Sequence, residues 1–306
     1  MKHLFIINPT AGKGTALTEL EDRIARSFAG QDFHVIRTTH AGHATALSRE
    51  AAESGDAVRI YACGGDGTLN EVVNGAAGFD NTAVTHIPTG TGNDFLKIFG
   101  SDAERFRDPS AFLEAEQAVF DLIDCNGQLS IDIVCAGLDA RVGADVHRYN
   151  SLPLVSGIGA YIFSLIVNVL FRPLAQPMKV SINDQHWDGD TTILCVCNGR
   201  FYGGGFMPVG DAMPDDGILD VLLVPKISLL TLVRVIGRYA KGKYADYPQY
   251  IHHFRTQSLS FSSPAPITAV LDGEILQDQS FTLRLSEKKI HFFYPAGSSY
   301  LPADKR

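Results

Sequence analysis

The chain has 306 residues, with 26 basic and 34 acidic side chains and a formal net charge of −8. This charge argues against a nucleic-acid-binding protein and gives no overall attraction to an anionic membrane, so any membrane contact has to be local. The five cysteines are odd in number and scattered, which predicts free thiols and a cytoplasmic protein, and the length is enough for two domains.

Strand-like and helical patterns alternate through the first part of the chain. Apolar runs at 4–7, 33–37, 58–62 and 83–87 predict strands, and periodic patterns at 15–28, 44–52 and 69–76 predict helices. This alternation favours βαβ units and a parallel sheet. After residue 125 most segments are strand-like, namely 130–135, 178–182, 191–197, 219–224, 258–262, 267–271, 281–285 and 290–293.

The segment 63–71, CGGDGTLNE, follows one of the predicted buried strands. Glycines at a strand-to-helix junction let backbone N–H groups approach an anion, and the N-terminus of the next helix adds a favourable dipole. Asp66 then lies where the phosphates of a nucleotide and their Mg²⁺ would bind. The alternative is an ordinary tight turn, for which Gly-Gly-Asp-Gly is also suited.

Two further glycine-rich segments follow predicted strands: NPTAGKG at 8–14 and PTGTGNDF at 88–95. The segment 8–14 is neither a P-loop of the G-x-x-x-x-G-K-[ST] type nor a dinucleotide-binding G-x-G-x-x-G. Because the carboxyl ends of parallel strands meet at one edge of a sheet, the three loops should lie side by side there. The sequence therefore predicts a nucleotide site at this edge.

Together these motifs resemble the catalytic domain of the diacylglycerol kinase and sphingosine kinase superfamily, most closely its soluble bacterial lipid kinases. The resemblance continues through 198–200, 203–205, 211–217 and the Asp-Gly-Glu at 272–274. It implies an α/β domain with a parallel, NAD-kinase-like sheet over 1–124, joined by the C-terminal segment 289–306. It also implies a β-rich, sandwich-like lipid-substrate domain over 125–288, with the active cleft between the two.

The implied reaction is phosphoryl transfer from Mg²⁺-ATP to a lipid alcohol such as diacylglycerol. The resemblance implies Glu274, Asp66 and Asp94 as catalytic residues, although Asp94 would also suit a helix cap and Glu274 the tip of a β-hairpin. The implied nucleotide-binding residues are Asn8, Pro9, Thr10, Ala11, Gly12, Thr38, Gly64, Gly65, Asp66, Gly67, Thr68, Leu69, Asn70, Glu71 and Thr91. Lys13 would add a positive charge, and Thr39 is the alternative to Thr38.

Two metal sites are implied. Met213, Asp216 and Ile218 match a structural Mg²⁺ site with oxygen ligands, although residues 214–217 alone would be interpreted as a turn. Asp66 and Asp121 match residues near the catalytic Mg²⁺, which they would reach directly or through water. Cys195 and Cys197 lie two apart in an apolar strand, which favours packed thiols over metal ligands.

Two other functions share these features. GGDGT also occurs in NAD kinases, and a non-catalytic lipid-binding protein would keep the same fold. The sequence does not identify the lipid. The implied partners are a lipid alcohol and, transiently, the membrane surface, and exposed strand edges would suit a homodimer.

Two segments bear on membrane contact. Residues 152–171 carry no charge but contain proline, glycines, serines and an asparagine, so they predict a surface helix beside the lipid cleft rather than a membrane span. In 227–239, one helical face holds Leu229, Leu230, Leu232, Val233 and Ile236, and the other holds basic residues. This pattern predicts an ordinary amphipathic helix whose basic side also suits anionic headgroups.

Overall fold

The computed structural model describes residues 1–11, 14–149 and 158–306. Gly12, Lys13 and the first part of the 152–171 segment lie outside the described residues. The chain divides into two units, Met1–Leu122 with Ser286–Arg306, and Ile123–Leu285. They are called unit 1 and unit 2 below.

The described residues contain fifteen strands and six α-helices. Strands β1 to β15 are Lys2–Ile7, Phe33–Arg37, Val58–Gly64, Thr82–Pro88, Ala115–Phe120, Ile123–Cys125, Gln128–Ser130, Ile133–Gly137, Gln176–Ile182, Gln185–Cys197, Leu219–Pro225, His252–Thr256, Ser258–Leu271, Glu274–Leu285 and Ile290–Pro295. Helices α1 to α6 are Gly14–Ser27, His43–Glu53, Asp66–Ala76, Leu138–Tyr149, Ile158–Phe171 and Leu229–Tyr239. Short 3₁₀ helices lie at Phe95–Arg107, Pro109–Phe112, Tyr244–Asp246 and Ala303–Lys305.

Unit 1 is built on a mostly parallel sheet, which confirms the predicted α/β class. Its six described strands have the order β2-β1-β3-β4-β15-β5, and only β5 runs antiparallel to its neighbour. The C-terminal strand β15 thus lies inside the sheet made by the first part of the chain. β3 and β4 occupy central positions, and their residues are almost all buried, as expected for strands covered on both faces.

Unit 2 is β-rich, as predicted. Nine of its described strands form one antiparallel sheet in the order β12-β11-β10-β8-β13-β14-β6-β7, with β9 paired to both β10 and β13. Alternate residues of β8 and β10 enter two different core clusters, one holding Val134 and Leu194 and the other Cys135 and Cys195. The alternation follows from the two-residue period of a strand. Residues of α4 and α6 belong to the second cluster.

The prediction for the 227–239 helix is partly wrong. α6 buries Leu232, Val235 and Tyr239, whereas Leu230 and Val233 are exposed. Two strands of polar sequence, β5 and β12, were also not predicted. Among the described residues, no helix has both the length and the apolar character that crossing a bilayer requires.

Candidate active site

Three loops of unit 1 meet at the carboxyl ends of β1, β3 and β4, as predicted from the glycine-rich segments. These strands are neighbours in the sheet, with Ile7 opposite Cys63 and Gly64 opposite Pro88. The amide of Asn8 donates to the hydroxyl of Thr68 at 3.1 Å, which links the first loop to α3. The backbone N–H groups of Thr89 and Gly90 both donate to the carbonyl of Gly64 at 2.8 and 3.1 Å, which links the second loop to the third.

Asp66 begins α3 and lies at the junction of these loops. Its Oδ1 accepts a hydrogen bond from the backbone N–H of Asp94 at 2.7 Å. Asp94 occupies the N-cap position of the 95–107 helix, but its side chain makes no capping hydrogen bond and instead pairs with Lys97. The helix-cap interpretation of Asp94 is therefore wrong, and its carboxylate is directed to a cation.

Both carboxylates face Gly92. A Cβ placed on Gly92 would lie 2.7 Å from Oδ2 of Asp66 and 3.5 Å from Oδ2 of Asp94. Carboxylate oxygens are the hard, anionic ligands that Mg²⁺ prefers, and two of them lie close to this residue without a side chain. The donor atoms at this point therefore fit the divalent cation that the sequence implied.

The glycines of these loops are required by close approach. A Cβ on Gly90 would lie 2.6 Å from Cα of Gly65, and a Cβ on Gly64 would lie 2.2 Å from the Thr68 hydroxyl. Distances under 3.0 Å cannot be accommodated without movement of the backbone or of a buried side chain. Gly90 thus allows the third loop to pack against the second, and Gly64 leaves room for the Thr68 side chain at the start of α3.

Three of the residues implied as nucleotide-binding have side chains that bond or pack within unit 1. Both carboxylate oxygens of Glu71 accept backbone hydrogen bonds at the start of α2, from Gly42 and Ala44 at 3.0 Å each. Leu69 and Asn70 are buried in α3. The Glu71 side chain therefore stabilises the packing of α2 on α3, whereas the Asn70 side chain accepts from the Asn74 amide within α3 at 3.0 Å.

The other described residues implied as nucleotide-binding come after the carboxyl ends of strands of the unit 1 sheet. Thr38 continues the sheet through its N–H bond to the carbonyl of Ile7 at 2.8 Å. Pro9, Thr10 and Thr91 are exposed, while Ala11, Gly65 and Gly67 are half-buried. Asp66 is itself half-buried, so part of this sheet edge is open to solvent.

His86 is a buried residue that the sequence interpretation missed. Its Nε2 lies 3.0 Å from the Gly64 carbonyl, so this nitrogen carries the proton and donates it. Its Nδ1 is buried with no partner among the described residues. Burial lowers the pKa of the His86 imidazole to about 4. The Gly64 carbonyl therefore accepts from a neutral side chain as well as from two backbone groups, and a lone histidine in an apolar strand gave no signal of this role.

Asp272 and Gly273 form the turn between β13 and β14 in unit 2. Both have positive φ, 48° and 95°, as a two-residue hairpin turn requires, so the hairpin interpretation is confirmed. Glu274 is the first residue of β14, directly after the turn, and its side chain is exposed. A carboxylate at an exposed hairpin tip is accessible to a substrate hydroxyl.

The Asp272 carboxylate fixes this tip, which the sequence did not predict. It accepts hydrogen bonds from the Ser130 hydroxyl at 2.9 Å and from the backbone N–H groups of Ile131, Asp132 and Ile133 at 2.8 to 3.2 Å. Burial raises the pKa of Asp272 to about 6, against the opposing effect of these donors. The only sequence signal was Asp-Gly as a turn, because the partners lie about 140 residues away.

Of the residues implied to bind a structural metal, Asp216 and Ile218 are hydrogen bonded to each other, but Asp216 also pairs with an arginine. Oδ1 of Asp216 accepts from the N–H of Ile218 at 3.1 Å, which holds two members of the set together. Its Oδ2 accepts from the Arg255 guanidinium at 2.7 Å. Arg200 donates to the carbonyl of Ala212, next to Met213. Asp216 thus already has a cationic partner, which a metal ion would have to share or displace.

Two other acidic groups are buried. Asp121 follows β5 and pairs with Lys289 at 2.7 Å in unit 1.

In unit 2, the ligand atoms of Cys135, Asp139 and Cys195 lie within 4.8 Å of one another, and the Cys135 and Cys195 sulfurs are 3.7 Å apart. Burial raises the pKa of Asp139 well above its usual range. All five cysteines are free and buried, in agreement with packed thiols.

Family models cover both units. The diacylglycerol kinase catalytic domain matches residues 2–125, and the YegS C-terminal NAD kinase beta sandwich-like domain matches residues 132–293. The chain therefore belongs to the diacylglycerol kinase-like lipid kinase family, with both of its characteristic domains.

Named relatives agree with this assignment, and solved structures share the fold. Proteins of Staphylococcus aureus strains Mu3 and Newman, each named "Putative lipid kinase", are 28% identical over 217 residues, covering 71% of this chain and 70% of theirs. The fold is similar to that of two Bacillus anthracis structures, the first described as "a putative diacylglycerol kinase" and the second as a diacylglycerol kinase. Their TM-scores are 0.75 and 0.69 at 24% and 22% identity, and each comparison covers 97% of this chain and 98% of the other.

Proposed function

We propose that this protein is an ATP-dependent lipid kinase that uses Mg²⁺ to transfer the γ-phosphate to the hydroxyl of a lipid alcohol such as diacylglycerol. The observation that carries the proposal is the position of Asp66 at the junction of three glycine-dependent loops, beside the Asp94 carboxylate. In this proposal the loops 8–12, 64–68 and 89–92 bind the phosphates of ATP. Mg²⁺, when bound, would neutralise charge on those phosphates.

The residues of the chain have distinct tasks in this reaction. Asp66 and Asp94 supply metal ligands, directly or through water, and Lys97 holds Asp94 in place. Glu274 accepts the proton of the lipid hydroxyl as its oxygen forms a bond to the γ-phosphorus. The bond from that phosphorus to the β–γ bridging oxygen breaks, and ADP leaves with the bonding electrons. Asp121, which pairs with Lys289, is a further candidate for the same Mg²⁺, directly or through water.

The decisive experiment is phosphorylation of candidate lipids in mixed micelles with labelled ATP and Mg²⁺, with products resolved by mass spectrometry. Diacylglycerol, sphingoid bases and a total lipid extract should be compared. Formation of a phosphorylated lipid that is lost in Asp66→Ala and in Glu274→Gln supports the proposal. Asp80→Asn, an exposed aspartate of unit 1, and Asp278→Asn, an exposed residue of β14, are the matched controls. Absence of any phosphorylated lipid would overturn it.

An NAD kinase is the second candidate, because the C-terminal family model is described as NAD kinase beta sandwich-like. This candidate predicts ATP-dependent conversion of NAD to NADP, which a coupled absorbance assay detects. A non-catalytic lipid-binding protein predicts neither product, and its lipid binding should survive Asp66→Ala. A homodimer formed through strand edges of unit 2 is compatible with each candidate and is tested by sedimentation velocity.

A further inference from the structure

One side of α6 presents apolar side chains to solvent. Leu230 is 85% exposed and Val233 67% exposed, one helical turn apart, while Leu232, Val235 and Tyr239 bury the opposite side. A pair of large aliphatic side chains this exposed on one helix turn gains nothing from the core of unit 2. Such a face is typical of a helix that contacts another apolar phase.

The charge around α6 is opposite in sign to that of the whole chain. Residues 226–243 contain five basic residues and no acidic one, although the chain has a net charge of −8. Arg234 and Arg238 lie on the exposed side of the helix itself. Some of these cations also pair with acids outside the segment, as Arg238 does with Asp246 and Lys226 with Asp190. The segment is thus a basic amphipathic helix on an acidic protein, which suits an anionic surface.

α5 also presents apolar side chains to solvent, and its polar side chains are buried instead. Its polar residues Ser164 and Asn168 are fully buried and hydrogen bond to Val142 and Asp145 of α4. Its apolar residues face solvent instead, with Ile166 47%, Leu170 61% and Phe171 79% exposed. A surface helix of a globular protein normally has the reverse arrangement. Leu165 and Val169 of α5 pack on the core cluster that also contains Leu232 of α6, so both helices cover the same side of the unit 2 sheet.

We propose that Leu230, Val233 and Arg234 of α6, with Ile166, Leu170 and Phe171 of α5, form a docking face for an anionic lipid bilayer. In this arrangement the apolar side chains enter the boundary between headgroups and acyl chains, and Arg234 binds headgroup phosphates. The role of this docking face rests on the proposed function: it would bring unit 2 to the bilayer that contains the lipid substrate.

A second copy of the chain is a poorer occupant of this face. Two-fold pairing would place the 226–243 segments of both copies against each other, each with five basic residues and no acid. Like charges oppose such an interface, whereas they strengthen binding to anionic headgroups.

The test is co-sedimentation of the full-length protein with vesicles of phosphatidylcholine alone and of phosphatidylcholine with phosphatidylglycerol. The wild type should bind the anionic vesicles more tightly, and high salt should weaken this binding. The double variant Leu230→Ser/Val233→Ser should weaken the partition coefficient roughly tenfold or more on both kinds of vesicle. Arg234→Gln should weaken it roughly fivefold on anionic vesicles only. Leu301→Ser, at a 54% exposed leucine of unit 1, should change nothing.

Three results would overturn the docking face: equal binding of the wild type to both kinds of vesicle, no effect of the double variant, or an effect of Leu301→Ser as large as that of the double variant. A change of solution mass in the double variant without loss of vesicle binding would assign the face to contact between copies instead.

The kinase reaction gives an independent readout. The double variant should keep the wild-type rate on a soluble short-chain diacylglycerol and lose it on vesicles. If no acceptor is phosphorylated by any form, the proposed function fails while the vesicle result still decides on the docking face.

Discussion

Oδ1 of Asp66 accepts a hydrogen bond of 2.7 Å from the backbone N–H of Asp94, so the first acid of α3 is tied to the loop that follows β4. The two residues are 28 positions apart and begin different helices. Because the N–H is a backbone donor, Asp94 can orient the Asp66 carboxylate while its own carboxylate pairs with Lys97. One oxygen of Asp66 thus fixes the loop, and Oδ2 faces Gly92, where the proposed cation would bind.

The first prediction concerns the charge of Asp66. Asp66→Asn keeps an acceptor for the Asp94 N–H but removes the negative charge that the cation needs. We expect kcat to fall by roughly 100-fold or more, with an unchanged free energy of unfolding. Steady-state kinetics with Mg²⁺ varied and urea unfolding measure the two quantities. A variant that keeps wild-type kcat would exclude Asp66 from the metal site.

The second prediction concerns the contact between Gly90 and Gly65. In Gly90→Ala the added methyl group would lie 2.6 Å from Cα of Gly65, so the two loops must separate. We expect a loss of about 1–3 kcal/mol in the free energy of unfolding, together with weaker ATP binding. Urea unfolding and calorimetry with a non-hydrolysable ATP analogue provide the measurements. Gly237→Ala is the control, because a Cβ there meets no atom within 4 Å; it should be neutral or stabilising.

The third prediction concerns pH and His86. The pKa of His86 is about 4 in the folded chain, below the value of 6.5 for a solvated histidine. The unfolded chain therefore binds the proton more readily, and stability is lost as pH falls below about 6.5. Between about pH 8 and pH 5 this group should cost about 2 kcal/mol.

His86→Gln isolates this effect, because glutamine offers an N–H to the Gly64 carbonyl but does not titrate. The variant should lose less stability than the wild type over the same pH range in urea unfolding. Asp272 titrates in both proteins, so its contribution cancels in the comparison. Parallel pH profiles for the two proteins would contradict the prediction.

The strand ends were predictable from the sequence because apolar runs and glycines are local signals. The runs at 58–62 and 83–87 and the glycines that follow them place Asp66 at the sheet edge, and the structure agrees. The roles of Glu71, His86 and Asp272 were not predictable, because each depends on partners that are distant in sequence. The exposed side of α6 was assigned wrongly because periodicity alone grouped Leu229, Leu230, Leu232, Val233 and Ile236 on one apolar face. Packing on the unit 2 sheet decides which of them is buried.

The fourth prediction concerns divalent cations and Asp216. If Met213, Asp216 and Ile218 bind Mg²⁺ or Ca²⁺, either ion should raise the unfolding temperature, and the increase should grow with the logarithm of the ion concentration once that concentration exceeds the Kd. Asp216→Asn should abolish the increase, while Asp211→Asn, at an exposed neighbour, should keep it. Arg255→Gln should strengthen the effect, because the guanidinium no longer competes for Oδ2 of Asp216. Unfolding temperatures that do not respond to either ion would exclude a structural metal at this position.

The fifth prediction separates the stability of the hairpin tip from its chemistry. Asp272→Ala leaves the Ser130 hydroxyl and three backbone N–H groups without their acceptor, so we expect about 2–4 kcal/mol of destabilisation. Asp272→Asn keeps one acceptor oxygen and a residue that tolerates positive φ, so it should lose less stability.

Both Asp272 variants should lower kcat for the lipid while leaving the Kd for ATP unchanged, because the tip carries Glu274 and the nucleotide loops belong to unit 1. Urea unfolding, single-turnover kinetics and nucleotide calorimetry measure these effects, with Asp278→Asn as the control on the same strand. Hydrogen exchange should be faster at Ile131 and Ile133 in Asp272→Ala, since their N–H groups lose the carboxylate. Unchanged exchange there, with wild-type kcat, would show that Asp272 does not fix the position of Glu274.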